Sequence, residues 1–367
     1  MIRPNKIPDL PLNKIDKDTK GIMFTLMYEC NLNCDFCFQK RSKANPITSQ
    51  VKEMVSKNIK KIEELLPTYE HPYVEYKLLG GELFLSNMNW DWLVNVLQTL
   101  IDITKKVNKI PKFILMTNLI HDNNIRNIVI NRIIKPIKDQ GFIVRLVPSF
   151  DINGRFKNKE TIDIFKENAL FYKEDIAQCN MVLTAPNCRL VSGLQQPTEI
   201  EQYALDTMKY LFHDNNIRFD IDYYMARNME DDPLMPTDDE LLACWLTLWY
   251  NYPNTRLISK FKISNIDEVR EVNCCFELQL EGNTITECCR EFYGLDDNPN
   301  LDTPICDNYY NVLISKYIKK NKCLLCKWYK YCPLGCFFYF DNKMKRIKNQ
   351  ECVLKRFFDI IKEDNNA

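Results

Sequence analysis

Apolar and polar positions along this chain fall into two alternating periods. Residues 22 to 28, Ile-Met-Phe-Thr-Leu-Met-Tyr, form a short apolar run with β-branched and aromatic members, which predicts a buried strand. From about residue 48 to 66 the period lengthens to that of a helix, with Val51, Met54, Val55, Ile59, Ile62 and Leu65 near one face. The unit then repeats. Strands are predicted at 73–79, 112–116, 142–147, 181–184 and 218–224, with helices between them near 90–105, 125–138, 159–172 and 199–212. Repeated strand-then-helix units imply a parallel sheet with helices outside it, either a doubly wound sheet or a partial barrel. In both, ligands gather at the C-terminal ends of the strands.

Those strand ends share a character. The first runs into Glu29-Cys30-Asn31-Leu32-Asn33-Cys34-Asp35-Phe36-Cys37-Phe38. After the second comes Gly80-Gly81-Glu82, after the third Thr117-Asn118, after the fourth Ser149-Phe150-Asp151, and after the fifth Ala185-Pro186-Asn187. Singly, each is ordinary turn chemistry. On one rim they make a polar ligand site beside Cys30, Cys34 and Cys37. Three thiolates in one short loop suit iron or zinc better than a hard cation. A closed zinc or iron-sulfur site takes four protein ligands, so this set either leaves a position open or is a zinc knuckle completed by a distant cysteine.

Composition narrows the setting. A length of 367 residues predicts about two to three domain-sized units. The 49 basic residues balance 49 acidic ones, which argues against a generally basic nucleic-acid binder. Residues 1–20 form an N-terminal extension with charges among prolines, neither a secretory signal nor a membrane span, and no later run is long enough to cross a bilayer. The expected location is the cytoplasm. There, 16 cysteines point to metal or redox chemistry rather than disulfides, and only 3 histidines leave sulfur as the main ligand. His71, His121 and His213 read as structural. With 9 glycines in all, glycine is kept for places where little else fits, Gly80 and Gly81 among them.

Past the sixth strand the pattern changes. Acids crowd residues 230–240 around Pro233 and Pro236, a solvated linker, and Leu241 to Tyr250 reads as a helix whose Trp245 and Trp249 share a core face. The remaining cysteines follow: Cys274 and Cys275, Gly282, Cys288 and Cys289, then Cys323-x2-Cys326-x5-Cys332-x3-Cys336, and last Cys352. In isolation the run from Cys323 to Cys336 reads as a zinc ribbon as readily as an iron-sulfur site. Cys179 and Cys188 read as buried small hydrophobes.

The Cys-x3-Cys-x2-Cys spacing after strand one, Phe36 before the third cysteine, Gly80-Gly81-Glu82 and Ser149-x-Asp151 resemble the radical S-adenosylmethionine enzymes over residues 21 to about 225. The resemblance implies a partial (β/α)6 barrel over 21–229 and a 4Fe-4S cluster on Cys30, Cys34 and Cys37. Its fourth iron would be chelated by S-adenosylmethionine, whose cleavage yields a 5'-deoxyadenosyl radical. By the same likeness Gly80 and Gly81 let backbone approach the methionine amino group, which Glu82 supports. Ser149 and Asp151 serve the ribose and carboxylate, Phe36 lies near the adenine, and Thr117, Asn118, Asn187 and the backbone around Tyr224 and Met225 are further contacts. Residues 230–262 become a linker and bridging helix. The later cysteines resemble the SPASM extension over 263–367, which carries auxiliary 4Fe-4S clusters. Cys323, Cys326, Cys332 and Cys352 would hold the outer one, and the inner one would draw on Cys274 or Cys275, Cys288 or Cys289, and Cys336. Gly282 to Cys288 is one residue longer than the usual spacing, which leaves the fourth inner ligand open between a doublet, Cys306, Cys244 and an open position.

SPASM enzymes mostly modify peptides or proteins. The expected function is a peptide maturase that oxidises or crosslinks a residue of a ribosomally made peptide. The alternatives are sulfatase-type or small-molecule alcohol oxidation, and a non-catalytic zinc or iron-sulfur scaffold. Glu291, after Cys288-Cys289-Arg290, is the candidate general base, Asp296 the second, and an exposed surface glutamate the competing reading. A leader-recognition domain would need more residues than precede strand one, so the leader of a precursor peptide is expected to be read by the barrel, the SPASM surface or a separate leader-recognition protein. A flavodoxin- or ferredoxin-like reductant is another. Lys319, Lys320, Lys322, Lys327, Lys330, Lys343, Lys345, Arg346 and Lys348, against Asp341 alone, form a basic stretch that reads as a solvated face, or as a dock for an acidic leader or the flavodoxin-like reductant.

Overall fold

The computed structural model describes residues 19–37, 48–224, 232–252, 278–281, 284–286, 318–319, 321–329, 332 and 351–365. Its strands are β1 (Thr19–Thr25), β2 (Tyr73–Leu79), β3 (Ile110–Thr117), β4 (Ile143–Pro148), β5 (Cys179–Leu183), β6 (Phe219–Tyr223), β7 (Leu278–Glu281) and β8 (Thr284–Thr286). Helix α1 (Thr48–Leu65) follows β1 and α2 (Trp90–Lys106) follows β2. Helix α3 begins at Asn123–Ile128 and passes through a π-helical stretch, Val129–Ile134, into Lys135–Asp139. Helix α4 (Lys159–Phe171) follows β4, and α5 (Ala185–Val191) and α6 (Glu199–Met208) follow β5.

Strands β1 to β4 pair in parallel in sequential order, and β5 pairs in parallel with β6. The two sets meet through isolated bridges, Leu146 with Ile176 and Ser149 with Asn180. On its other side β1 takes β7 in parallel, with β8 antiparallel beyond it. Residues from the cysteine-rich region thus extend the same sheet.

Alternation along the strands decides which face is covered. Ile22, Phe24, Val74, Tyr76, Leu78, Phe113, Leu115, Val144 and Leu146 are no more than 1% exposed. Each such side chain contributes about 1.5–3 kcal/mol relative to exposure. Tyr76 on this face reaches α2, where its hydroxyl lies 2.5 Å from Thr104 Oγ1. Thr104 already donates its proton to Leu100 O, so Tyr76 is the donor. The opposite face carries Met23, Glu75, Lys77, Lys112, Ile114, Met116 and Arg145, all half-buried.

Two expectations shift. The run 22–28 is strand only to Thr25, because residues 26–29 turn along the rim and pair there with the loop after β2. Residues 185–187 open a helix rather than a loop. Thr184 accepts the Asn187 amide and Pro186 occupies the first turn, where its missing N–H costs nothing.

Helix α7 (Asp238–Asn251) starts from a Thr237–Glu240 capping box. Trp245 is fully buried as the sequence pattern required, edge-on to Tyr223 and to Phe357 of α8 (Val353–Asn365), which Trp249 also meets. Trp328 packs on Phe358, so α8 contacts the described part of the late cysteine segment. Among the described residues no helix is long and apolar enough to cross a membrane.

Candidate functional site

The rim after β1 is built backbone against backbone. Leu26 donates to Leu79 O at 2.8 Å, Gly81 to Met27 O at 3.1 Å and Glu82 to Glu29 O at 2.8 Å. A Cβ on Gly81 would sit 2.0 Å from Glu29 O and 2.4 Å from its carbonyl carbon, and one on Gly80 2.6 Å from Met27 Cγ. The space beside Gly81 is therefore filled by the chain itself. The glycine pair is the contact that lets the cysteine loop leave β1 at this angle.

Glu82 fastens the next strand end to the same place. Its carboxylate is 1% exposed. Oε1 accepts Thr117 Oγ1 at 2.6 Å and the Phe84 amide at 2.8 Å, and Oε2 accepts the Asn118 amide at 2.5 Å. Burial pushes its pKa up, and the donors from Thr117, Asn118 and Phe84 pull it back. Among the described residues its partners are three donors and no acceptor, the surroundings of an ionised carboxylate. Asn118 then reaches the cysteine loop, donating from Nδ2 to Asn31 Oδ1 at 2.7 Å and to Cys30 Sγ at 3.8 Å. Asn31 answers with a bond to Ile120 O at 2.7 Å.

A second anchor holds the far end of the loop. The Asp35 amide donates to Gly154 O at 3.2 Å, and a Cβ on Gly154, at φ +78°, would meet the Phe36 ring at 3.4 Å. The guanidinium carbon of Arg155 stands 5.4 Å from the centre of that ring. Arg155 Nε donates to Asp151 Oδ2 at 2.7 Å, while Asp151 Oδ1 accepts the Val182 amide at 2.8 Å and Asn187 Nδ2 at 3.1 Å. Asp151 is fully buried; burial pushes its pKa up, and Arg155 and the Val182 amide oppose the shift. The terminal amino groups of Arg155 have no hydrogen-bond partner among the described residues. Sequence reasoning passed over Arg155; the available signal was a base four positions after Asp151 with a turn glycine between them.

Cys30 is exposed, Cys34 buried and Cys37 half-buried. Lost hydration pushes the Cys30 thiol up, the Leu32 amide eases it, and Glu82 and the other two thiols add to it. Among the described residues no group of three or more His, Cys, Asp or Glu is drawn together as a ready metal cage. The donor set nonetheless suits a soft, thiophilic centre: three sulfurs, two N–H donors aimed at Cys30 Sγ from Leu32 at 3.4 Å and Asn118 at 3.8 Å, and, among the described residues, no competing histidine bonded to the loop.

The other expected positions divide. Thr117, Asn118, Asp151 and Asn187 join the network, with Asn187 Oδ1 accepting the Asn153 amide at 2.9 Å. Ser149 is half-buried and its amide donates to Thr117 O at 3.0 Å, but its hydroxyl has no partner among the described residues. Tyr224 is buried and its hydroxyl donates to Asp232 at 2.8 Å, which ties it to the chain beyond β6. Cys323, Cys326, Cys332 and Cys352 are half-buried, and burial pushes the Cys352 thiol up, with Cys326 close enough to add to the shift. Cys179 and Cys188 are buried. Met225, Cys274, Cys275, Cys288, Cys289, Cys336 and Glu291 lie outside the described residues.

No family model matches the sequence, and no curated protein matches it. Among solved structures, native anSMEcpe with bound AdoMet matches over 95% of this chain and 100% of the other, with a TM-score of 0.53 at 14% identity. That likeness is one of fold.

Two substitutions test the rim. Gly81→Ala forces a Cβ onto backbone atoms and should cost about 3 kcal/mol or more in chemical denaturation. Gly141→Ala has open space at φ +82° and should cost about 1 kcal/mol for the left-handed backbone alone. His121 gives a pH signature. Its ring lies between Phe84 and Tyr172, Nδ1 is 3.2 Å from Asp122 O, Nε2 is buried without a partner, and burial lowers its pKa from 6.5. The unfolded chain takes the proton first, so the His121 contribution is present above pH 6.5 and lost as pH falls through the depressed folded value. Between about pH 7 and 5, the denaturation midpoint should fall less in His121→Phe than in the wild type.

Proposed function

We propose that this chain is a radical S-adenosylmethionine enzyme that oxidatively modifies a residue of a peptide or protein. The carrying observation is the three-cysteine loop clamped at the C-terminal rim of the parallel sheet by Glu82 on one side and the Asp151–Arg155 pair on the other. Its likeness in fold to an AdoMet-bearing anSMEcpe supports the same reading. On this reading β1 to β6 are the partial (β/α)6 barrel, Cys30, Cys34 and Cys37 hold a 4Fe-4S cluster, and the late cysteines hold one or two auxiliary clusters. The reduced cluster and bound S-adenosylmethionine supply the 5'-deoxyadenosyl radical.

The protein's own residues bind, orient and shield. Arg155 is held by Asp151 and stacked on Phe36, so its two uncommitted amino groups are fixed in direction and suited to a carboxylate. The Ser149 hydroxyl, on the adjoining strand end, can receive or give a hydrogen bond to a ribose or carboxylate. Glu82 and Asn187 are already committed to protein donors and acceptors, and their part is to keep the rim in place. Glu291 remains the candidate proton acceptor on sequence grounds.

The likeness to anSMEcpe favours a second reading, oxidation of one Cys or Ser of a sulfatase, as strongly as maturation of a ribosomal peptide. Anaerobic reconstitution of the full chain with iron and sulfide, followed by dithionite and S-adenosylmethionine, tests the class. The expected result is bound iron and release of 5'-deoxyadenosine. Changing Cys30, Cys34 and Cys37 together to Ala should reduce that release to background while auxiliary iron remains. Bound zinc with no 5'-deoxyadenosine would leave a non-catalytic scaffold. Mass spectrometry of a sulfatase-derived peptide and of a candidate precursor peptide, each incubated with the loaded enzyme, separates the two substrates.

A further inference from the structure

We infer that Asn118 is a positioning residue whose side-chain N–H, held by Asn31 and Ile120, sets the reduction potential of a cluster ligated by Cys30. The inference rests on the iron-sulfur reading above and goes beyond it by assigning an electronic role to a residue outside the ligand set.

The geometry leaves the Asn118 amide one orientation. Its Oδ1 accepts the Ile120 amide at 2.8 Å, and a backbone N–H can only donate, so the oxygen must lie on that side. Nδ2 therefore faces the cysteine loop, where it meets Asn31 Oδ1 at 2.7 Å and Cys30 Sγ at 3.8 Å, within the longer reach of sulfur. The Asn31 amide is fixed in the same way, because its Nδ2 donates to Ile120 O at 2.7 Å and its oxygen is thereby turned to Asn118. The two side chains form a closed clasp between the loop after β3 and the cysteine loop.

The clasp is held from behind. The Asn118 amide is bonded to Glu82, and Leu119, fully buried, adopts φ +56°, a left-handed conformation that a leucine takes only when its surroundings impose it. Asn168 on α4 imposes it, donating from Nδ2 to Leu119 O at 2.8 Å and to His121 O at 2.9 Å, while Arg126 fixes the Asn168 oxygen at 2.9 Å. A strained turn braced by a second helix serves to aim the residue beside it. What it aims is the Asn118 N–H, and the sulfur is also approached by the Leu32 amide at 3.4 Å.

Hydrogen bonds to ligating sulfur stabilise the more negative, reduced state of an iron-sulfur cluster and so raise its potential. Removing the Asn118 donor should lower it. The test is potentiometric electron paramagnetic resonance on the anaerobically reconstituted full chain. The relevant signal is the one that changes on adding S-adenosylmethionine and is missing when Cys30, Cys34 and Cys37 are all Ala. Asn118→Leu removes both side-chain polar groups. Asn118→Ser keeps an oxygen for the Ile120 amide but is too short to reach Cys30, and it carries the test if the leucine variant does not fold. With iron content equal to wild type, the expected result is a midpoint shifted to more negative potential and a several-fold smaller reduced fraction at fixed potential. An unchanged or more positive midpoint in a fully loaded variant overturns the inference and leaves the enzyme class intact. Absence of any signal dependent on the three cysteines in the wild type removes both.

Discussion

One buried carboxylate sets the geometry of this rim. Glu82 is almost wholly withdrawn from solvent and accepts bonds from Thr117, Asn118 and Phe84, while its own amide donates to Glu29. An isolated buried carboxylate is costly, and each hydrogen bond to a charged group returns about 1.5–3 kcal/mol. The group is therefore stable only where all three donors converge, and that condition ties the ends of β2 and β3 to one point. Gly81 extends the constraint, since the backbone approach that places Glu82 leaves no room for a Cβ.

The Asp151–Arg155 pair does the same for β4 and β5. Its charges are buried and mutually paired, an arrangement that contributes more to specificity than to net stability. Asp151 gathers the Val182 amide and Asn187 from the β5 side, and Arg155 lays its guanidinium over Phe36. The cysteine loop is thus gripped near Cys30 by Asn118 and near Cys37 through Asp35 and Phe36. Its three sulfurs are displayed on a framework whose order does not depend on the loop's own few contacts.

Much of this was legible in the chain. The alternating periods placed β1 to β6 and their helices, and the strand ends named Glu82, Thr117, Asn118, Asp151 and Asn187 as one neighbourhood. Their partners were not legible, because periodicity reports which face a residue occupies and not what lies across from it. Arg155 and Asn31 were not singled out, and the structure sets Arg155 over Phe36 and bonds Asn31 to Ile120. The stretch Leu278–Glu281 is too short for a distinct period, and only its register with Ile22 to Phe24 shows that the sheet continues beyond β1. The glycine pair was legible as a close approach; a Cβ at Gly81 would meet the Glu29 backbone and one at Gly80 the Met27 side chain.

The Glu82 carboxylate organises the rim, and Glu82→Gln isolates its part by changing one oxygen to an amide nitrogen at the same size. Hydrogen exchange measured on the apo protein reads the outcome at the Phe84, Asn118 and Leu32 amides. In the variant, one side of the new carboxamide turns a donor toward existing donors. Protection at Phe84 and Asn118 is predicted to fall by about 2 kcal/mol or more, and the Leu32 amide to open with them. Unchanged protection at all three positions, with wild-type global stability, would contradict it.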